Sequence, residues 1–100
     1  MEKLSLEIIS ATNNARAGQW CTVECTKAAR WKDYGVIIEE LYLQHNHSKI
    51  YNVTIIYEDG LFVKALAGVK REDDKVIIEH FSPDEKYSWT MICFDPNERR

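Results

Sequence analysis

The side chains able to do chemistry here are thiols and imidazoles on one hand and adjacent carboxylates on the other. Cys21 and Cys25, with His45 and His47, have the residue types of a zinc site. The C-x3-C spacing departs from the tight knuckle such sites use, and Val23 shares the face between the thiols, so core cysteines and a solvated histidine loop describe them better. His80 stands alone in an apolar stretch, the pattern of a hydrogen-bonded structural histidine rather than a base. Glu39 and Glu40 are neighbours, as are Asp73 and Asp74; in a strand such pairs point apart, and in a loop they are solvated. No Gly-rich phosphate loop, no G-x-S-x-G and no H-E-x-x-H is present. The expectation is a non-enzyme with no catalytic residue, no metal and no cofactor.

The elements that must position any site are short and mostly strand-like. Ile50 to Ala65, IYNVTIIYEDGLFVKA, writes a β-hairpin. Tyr51, Val53, Ile55 and Tyr57 alternate with Asn52 and Thr54, Asp59-Gly60 supplies the turn, and Leu61, Val63 and Ala65 alternate with Phe62, Lys64 and Leu66. Lys3 to Ile9 reads as a strand with Leu4, Leu6 and Ile8 on one face, followed by a polar loop from Ser10 to Gly18. Trp20 to Cys25 reads as a second strand, with Cys21, Val23 and Cys25 inward. Thr26 to Asp33 reads as a connecting loop. Tyr34 to Leu43, rich in β-branched and aromatic residues, is expected to be a strand, with a helix as the second reading.

The run AGVKREDD after Leu66 suggests a break in pairing, because Gly68 is followed by a cluster of charges. Lys75 to Phe81 and Tyr87 to Phe94 are further strands, separated by a turn or short capped helix at Ser82 to Glu85. Seven short strands joined by polar turns predict an all-β protein, a small antiparallel barrel that closes to avoid bare edges.

Composition narrows the rest. One hundred residues, 45% of them hydrophobic and 29% charged, suit one domain over 1–100 with one core. No apolar run approaches the length of a membrane span, and MEKLSLEII lacks a signal peptide's hydrophobic core. Three cysteines without disulfide spacing fit a reducing compartment, so an intracellular protein is expected. A net charge of −3 demotes nucleic acid as a partner and favours a cationic one.

Gly18 to Asp73 resembles a Tudor domain, the bent five-stranded SH3-like barrel of the Royal family. The residues that carry the resemblance are GQWCTVEC (Gly18 to Cys25), WKDYGVIIEEL (Trp31 to Leu41) and IYNVTIIYEDG (Ile50 to Gly60) followed by LFVKAL. The strands at 3–9 and 75–94 lie outside it as additions. The resemblance implies an intracellular protein-binding module of chromatin that reads methyl-lysine or methylarginine in a cage of aromatic rings, nuclear if it holds and cytoplasmic otherwise. Tyr34 matches the aromatic entering the second strand, Tyr57 the aromatic ending the third, and Asp59 the polar cage residue of the following loop. Trp31, between Arg30 and Lys32, would supply another wall. The aromatic often found at the end of the first strand falls on Cys25, and the second loop aromatic falls near Gly60, with Phe62 closest.

The packing alternative for Tyr34 and Tyr57 is a structural role at a barrel end, and Trp20 and Trp89 read as structural. Two other classes compete with a peptide reader. One is an acidic β protein that neutralises a basic partner protein by surface complementarity, in the manner of an immunity protein or phage-type inhibitor. The other is a structural barrel whose free edge strand recruits another chain.

Overall fold

The computed structural model describes residues 2–28, 35–45, 49–82 and 84–98. Six strands follow one another as β1 (Glu2–Ala11), β2 (Trp20–Ala28), β3 (Ile50–Tyr57), β4 (Phe62–Glu72), β5 (Lys75–His80) and β6 (Trp89–Phe94), with one helix, α1 (Gly35–His45), between β2 and β3. Every strand is antiparallel to its neighbours in sequence, and β1 pairs with β6 to close the wall. This is the expected small all-β antiparallel barrel, consistent with the SH3-like class, with the strands outside 18–73 completing its wall.

Closure depends on two long strands that change partner along their length. Glu2 to Glu7 of β1 pair with β2, whereas Glu7 to Ala11 pair with β6 across a bulge between Ile8 and Ser10. Phe62 to Gly68 of β4 pair with β3, and Ala67 to Glu72 pair with β5. A strand shared in this way turns the corner between two sheet segments, and a bulge bends the backbone at one of those corners.

Alternation decides which side chains fill the interior. Leu6, Ile8, Cys21, Val23, Cys25, Val53, Ile55, Ala67, Val76, Ile78, Met91 and Cys93 form one buried cluster drawn from all six strands. At one end, Arg71 keeps the phase of Ala67 and Val69 after the apolar residues run out, and its guanidinium pairs with buried Asp95.

A smaller cluster lies on the outside of the wall. Ile50 begins β3 on the face opposite Val53 and Ile55, and it is buried by Ile38 of α1 together with Phe81, with Leu41, Tyr42 and Leu66 packed around them. Ile38, Leu41 and Tyr42 stand at i, i+3 and i+4, one helical face, which is why the segment is helical. This corrects the expected strand from Tyr34 to Leu43. As a strand, Glu39 would share a face with Ile37 and Leu41, whereas the helix leaves both glutamates exposed. The second strand of the Tudor pattern therefore has no counterpart over 35–41.

The expected break after Leu66 is also corrected. β4 runs on to Glu72, because buried Gly68 sits within a paired strand and the turn falls at Asp73, whose φ is 54°. Six strands rather than seven result among the described residues. Since each strand has a partner on both sides, the reading that relied on a free edge strand is lost.

Candidate functional site

The β3–β4 hairpin ends in a defined turn. Gly60 N–H donates to Tyr57 O at 2.9 Å, Tyr57 N–H donates to Leu61 O at 2.8 Å, and Gly60 adopts φ 89°. That is a tight turn followed by a left-handed glycine, the three-residue hairpin in which only Gly is unstrained. Asp59 Oδ1 accepts from Leu61 N–H at 3.0 Å, which fixes the carboxylate beside the turn. The hairpin is tied to its neighbour by Glu58 N–H donating to Trp20 O at 3.1 Å.

The β1–β2 loop is built to stand beside it. Asn13 Oδ1 accepts from Ala15 N–H at 2.9 Å, and Arg16 N–H donates to Gln19 Oε1 at 3.2 Å. Gly18, at φ 86°, donates to Ile8 O and returns the chain to β2.

Between these two loops, at the barrel mouth, opens a cleft of about 980 Å³. Asn13, Arg16, Tyr57, Asp59, Phe62 and Trp89 are among the residues that line it, with Glu58 and Leu61 on the hairpin side. Tyr57 and Trp89 are half-buried and pack on the core cluster, forming an aromatic floor, while Phe62 is exposed at the rim. Burial pushes the Tyr57 phenol above its ordinary value, helped by the nearby thiols and Asp59, against a hydrogen bond from the Asn13 side chain.

Trp89 is held from behind. Its ring lies 5.3 Å from that of His80, and His80 Nδ1 donates to Leu66 O at 2.8 Å, since a carbonyl only accepts. His80 is thus the hydrogen-bonded structural histidine that its sequence setting indicates. Cys21 and Cys25 are buried in the core as expected, and Cys93 joins them. Contact with Cys21 and burial hold the Cys93 thiol far above the usual thiol range, while the same hydrogen bond draws Cys21 down. No group of three or more metal-ligating side chains occurs among the described residues.

Of the five residues singled out from the sequence, Tyr57, Asp59 and Phe62 line one cleft. Trp31 and Tyr34 lie outside the described residues. Trp89, which the sequence marks as structural, forms part of the cleft floor; its signal in the sequence is a tryptophan beginning a strand next to a turn. Trp20, which the sequence also marks as structural, is partly exposed, opposite in phase to the inward Cys21. Among the described residues no helix is long and apolar enough to cross a membrane. Compared with protein-family models, with curated proteins and with solved structures, the chain finds no match.

Proposed function

We propose that this barrel is a non-enzymatic binding module that takes a cationic side chain of a peptide into the cleft at its mouth. The observation that carries this reading is the convergence of Tyr57, Phe62 and Trp89 with Glu58 and Asp59 on one open cleft. Aromatic faces attract a cation by about 0.5–2 kcal/mol, more as water is excluded, and carboxylates at the rim add charge attraction. Methylated lysine or arginine is the specific form that the Tudor resemblance implies, with a nuclear protein as its corollary. Arg16 lines the same cleft and opposes an incoming cation, so it acts as a selectivity element.

The test is an NMR titration with peptides carrying lysine, methylated lysine, arginine or methylated arginine. Shifts at Tyr57, Phe62 and Trp89 that weaken several-fold in Asp59→Asn are expected, because Asn keeps the Leu61 hydrogen bond and removes only the charge. Arg16→Ala tightens binding on the same argument. Shifts elsewhere, or equal binding of an acidic peptide, would overturn the reading. The competing class, an acidic β protein that neutralises a whole partner, rests on the net charge of −3 and is indicated instead by silence with all peptides beside tight binding to an intact basic protein.

A further inference from the structure

The outer wall carries an apolar strip that stays partly exposed. Ile56 and Phe62 are directly paired across β3 and β4, and both point away from the core, opposite in phase to Ile55 and Val63. Trp20 stands diagonal to Ile56, since Thr22 is the residue paired with Ile56. Directly opposed side chains on one face lie about 5 Å apart and diagonal ones about 7–8 Å, so the three make one strip. Trp20 is 39% exposed, Ile56 37% and Phe62 64%. The other end of the same face, at Ile50 and Leu66, is equally apolar and is covered by α1, whereas this end stays partly exposed among the described residues.

We infer that this strip seats a large apolar side chain of the same peptide whose cationic residue enters the cleft, so that the module reads the two together. The inference rests on the cleft being a cation site. Phe62 belongs to both surfaces, lining the cleft and facing the strip, so a chain leaving the cleft passes over the hairpin directly onto Trp20 and Ile56. Charge selects the occupant. The carboxylates of Glu7, Glu58 and Asp59 surround the hairpin end of the strip and hold no ion pair among the described residues, and a basic peptide satisfies them. Lys64, two residues beyond Phe62 on the same face, bounds the strip at its far side and Arg16 the cleft, which disfavours a run of basic residues. Phe62 borders the cleft, Ile56 stands about 5 Å beyond it and Trp20 about 7–8 Å farther, so the middle of the strip lies roughly 9 Å from the cleft rim, a distance that an extended chain covers in about three residues. The occupant is therefore an extended segment with one basic residue and one large apolar residue about three positions apart.

The experiment measures fluorescence anisotropy with labelled Gly/Ser peptides: one carrying a single trimethyl-lysine, one adding Leu three positions on, and one adding Leu seven positions on. The second is expected to bind at least tenfold tighter than the other two. Trp20→Thr with Ile56→Thr, polar residues that suit an exposed strand, removes that gain and leaves the first peptide's affinity unchanged; each single variant, checked by circular dichroism, removes part of it. A gain that survives in these variants, or equal gain from the two Leu spacings, overturns the inference and leaves the cleft reading standing. Loss of all three peptides' binding, or binding indifferent to Asp59→Asn, overturns the cleft reading and this one with it. Concentration-dependent dimerisation abolished by the same Thr substitutions assigns the strip to a second copy and also overturns it.

Discussion

Arg71 Nη1 lies 2.9 Å from Asp95 Oδ2, joining the far end of β4 to the residue just past β6. Asp95 is buried, its other oxygen Oδ1 accepts from Asn97 N–H, and its own N–H donates to Asp74 O. The carboxylate thus ties the end of β4 to the exit of the last strand, and the backbone of the same residue adds the β4–β5 turn. Asp95→Ala is expected to cost about 1–3 kcal/mol, the range for a charge-assisted hydrogen bond whose partner is partly exposed. Asp95→Asn, which retains an acceptor for Asn97, loses less. Urea denaturation of the two variants checks the order.

Ile38→Ala tests the attachment of α1. Its side chain is fully buried against Ile50 and Phe81, so the loss should lie within about 2–5 kcal/mol for an Ile→Ala change. Because this cluster sits outside the barrel, the first event is expected to be undocking of the helix. A fall in helical circular dichroism before the β signal and the Trp89 environment change would be the signature; a single coincident transition would contradict it.

The raised pKa of Tyr57 has a sign. Folding favours the neutral phenol, so this contribution to stability is complete below the unfolded tyrosine pKa, near 10, and is lost as pH rises through the higher folded value. Ultraviolet titration should show one tyrosinate forming late, absent from Tyr57→Phe. Stability of the wild-type protein should fall with alkali more steeply than that of the variant over the same window.

The three cysteines should be kinetically silent. Cys21, Cys25 and Cys93 are buried, and Cys93 is held protonated by Cys21 and by the apolar interior. A chromogenic disulfide reagent is expected to label them only as fast as the barrel opens, and all three at once in denaturant. Rapid labelling of one thiol under native conditions would show that part of the wall opens locally.

Most of the barrel was legible because a two-residue period against a core leaves a plain mark. The Tyr51, Val53, Ile55, Tyr57 face and the Cys21, Val23, Cys25 face both point where the alternation places them. What failed was arbitration where both periods fit. Val36, Ile37 and Ile38 are β-branched, yet the contacts available to Ile38 and Leu41 on Ile50 and Phe81 made a helix, and tertiary packing overrode propensity. The extension of β4 was hidden for a related reason: Lys70, Arg71 and Glu72 look like a loop until β5 lies beside them. At the site, Tyr57, Asp59 and Phe62 could be found because they flank a turn that the sequence spells out. Trp89 could not, since its approach to them depends on how far β6 is staggered around the barrel.

The β1–β6 seam sets the order in which this molecule can be completed. Thr12 N–H donates to Thr90 O at 2.9 Å and Thr90 N–H returns to Thr12 Oγ1 at 2.8 Å, a clasp between residues 78 positions apart. Hairpins such as β3–β4 can form early from nearby chain, but the ring cannot shut until its most distant segments meet, at the entropic cost of the longest loop in the barrel. During synthesis, the opening strand must therefore wait, one flank unsatisfied, until the last strand has left the ribosome.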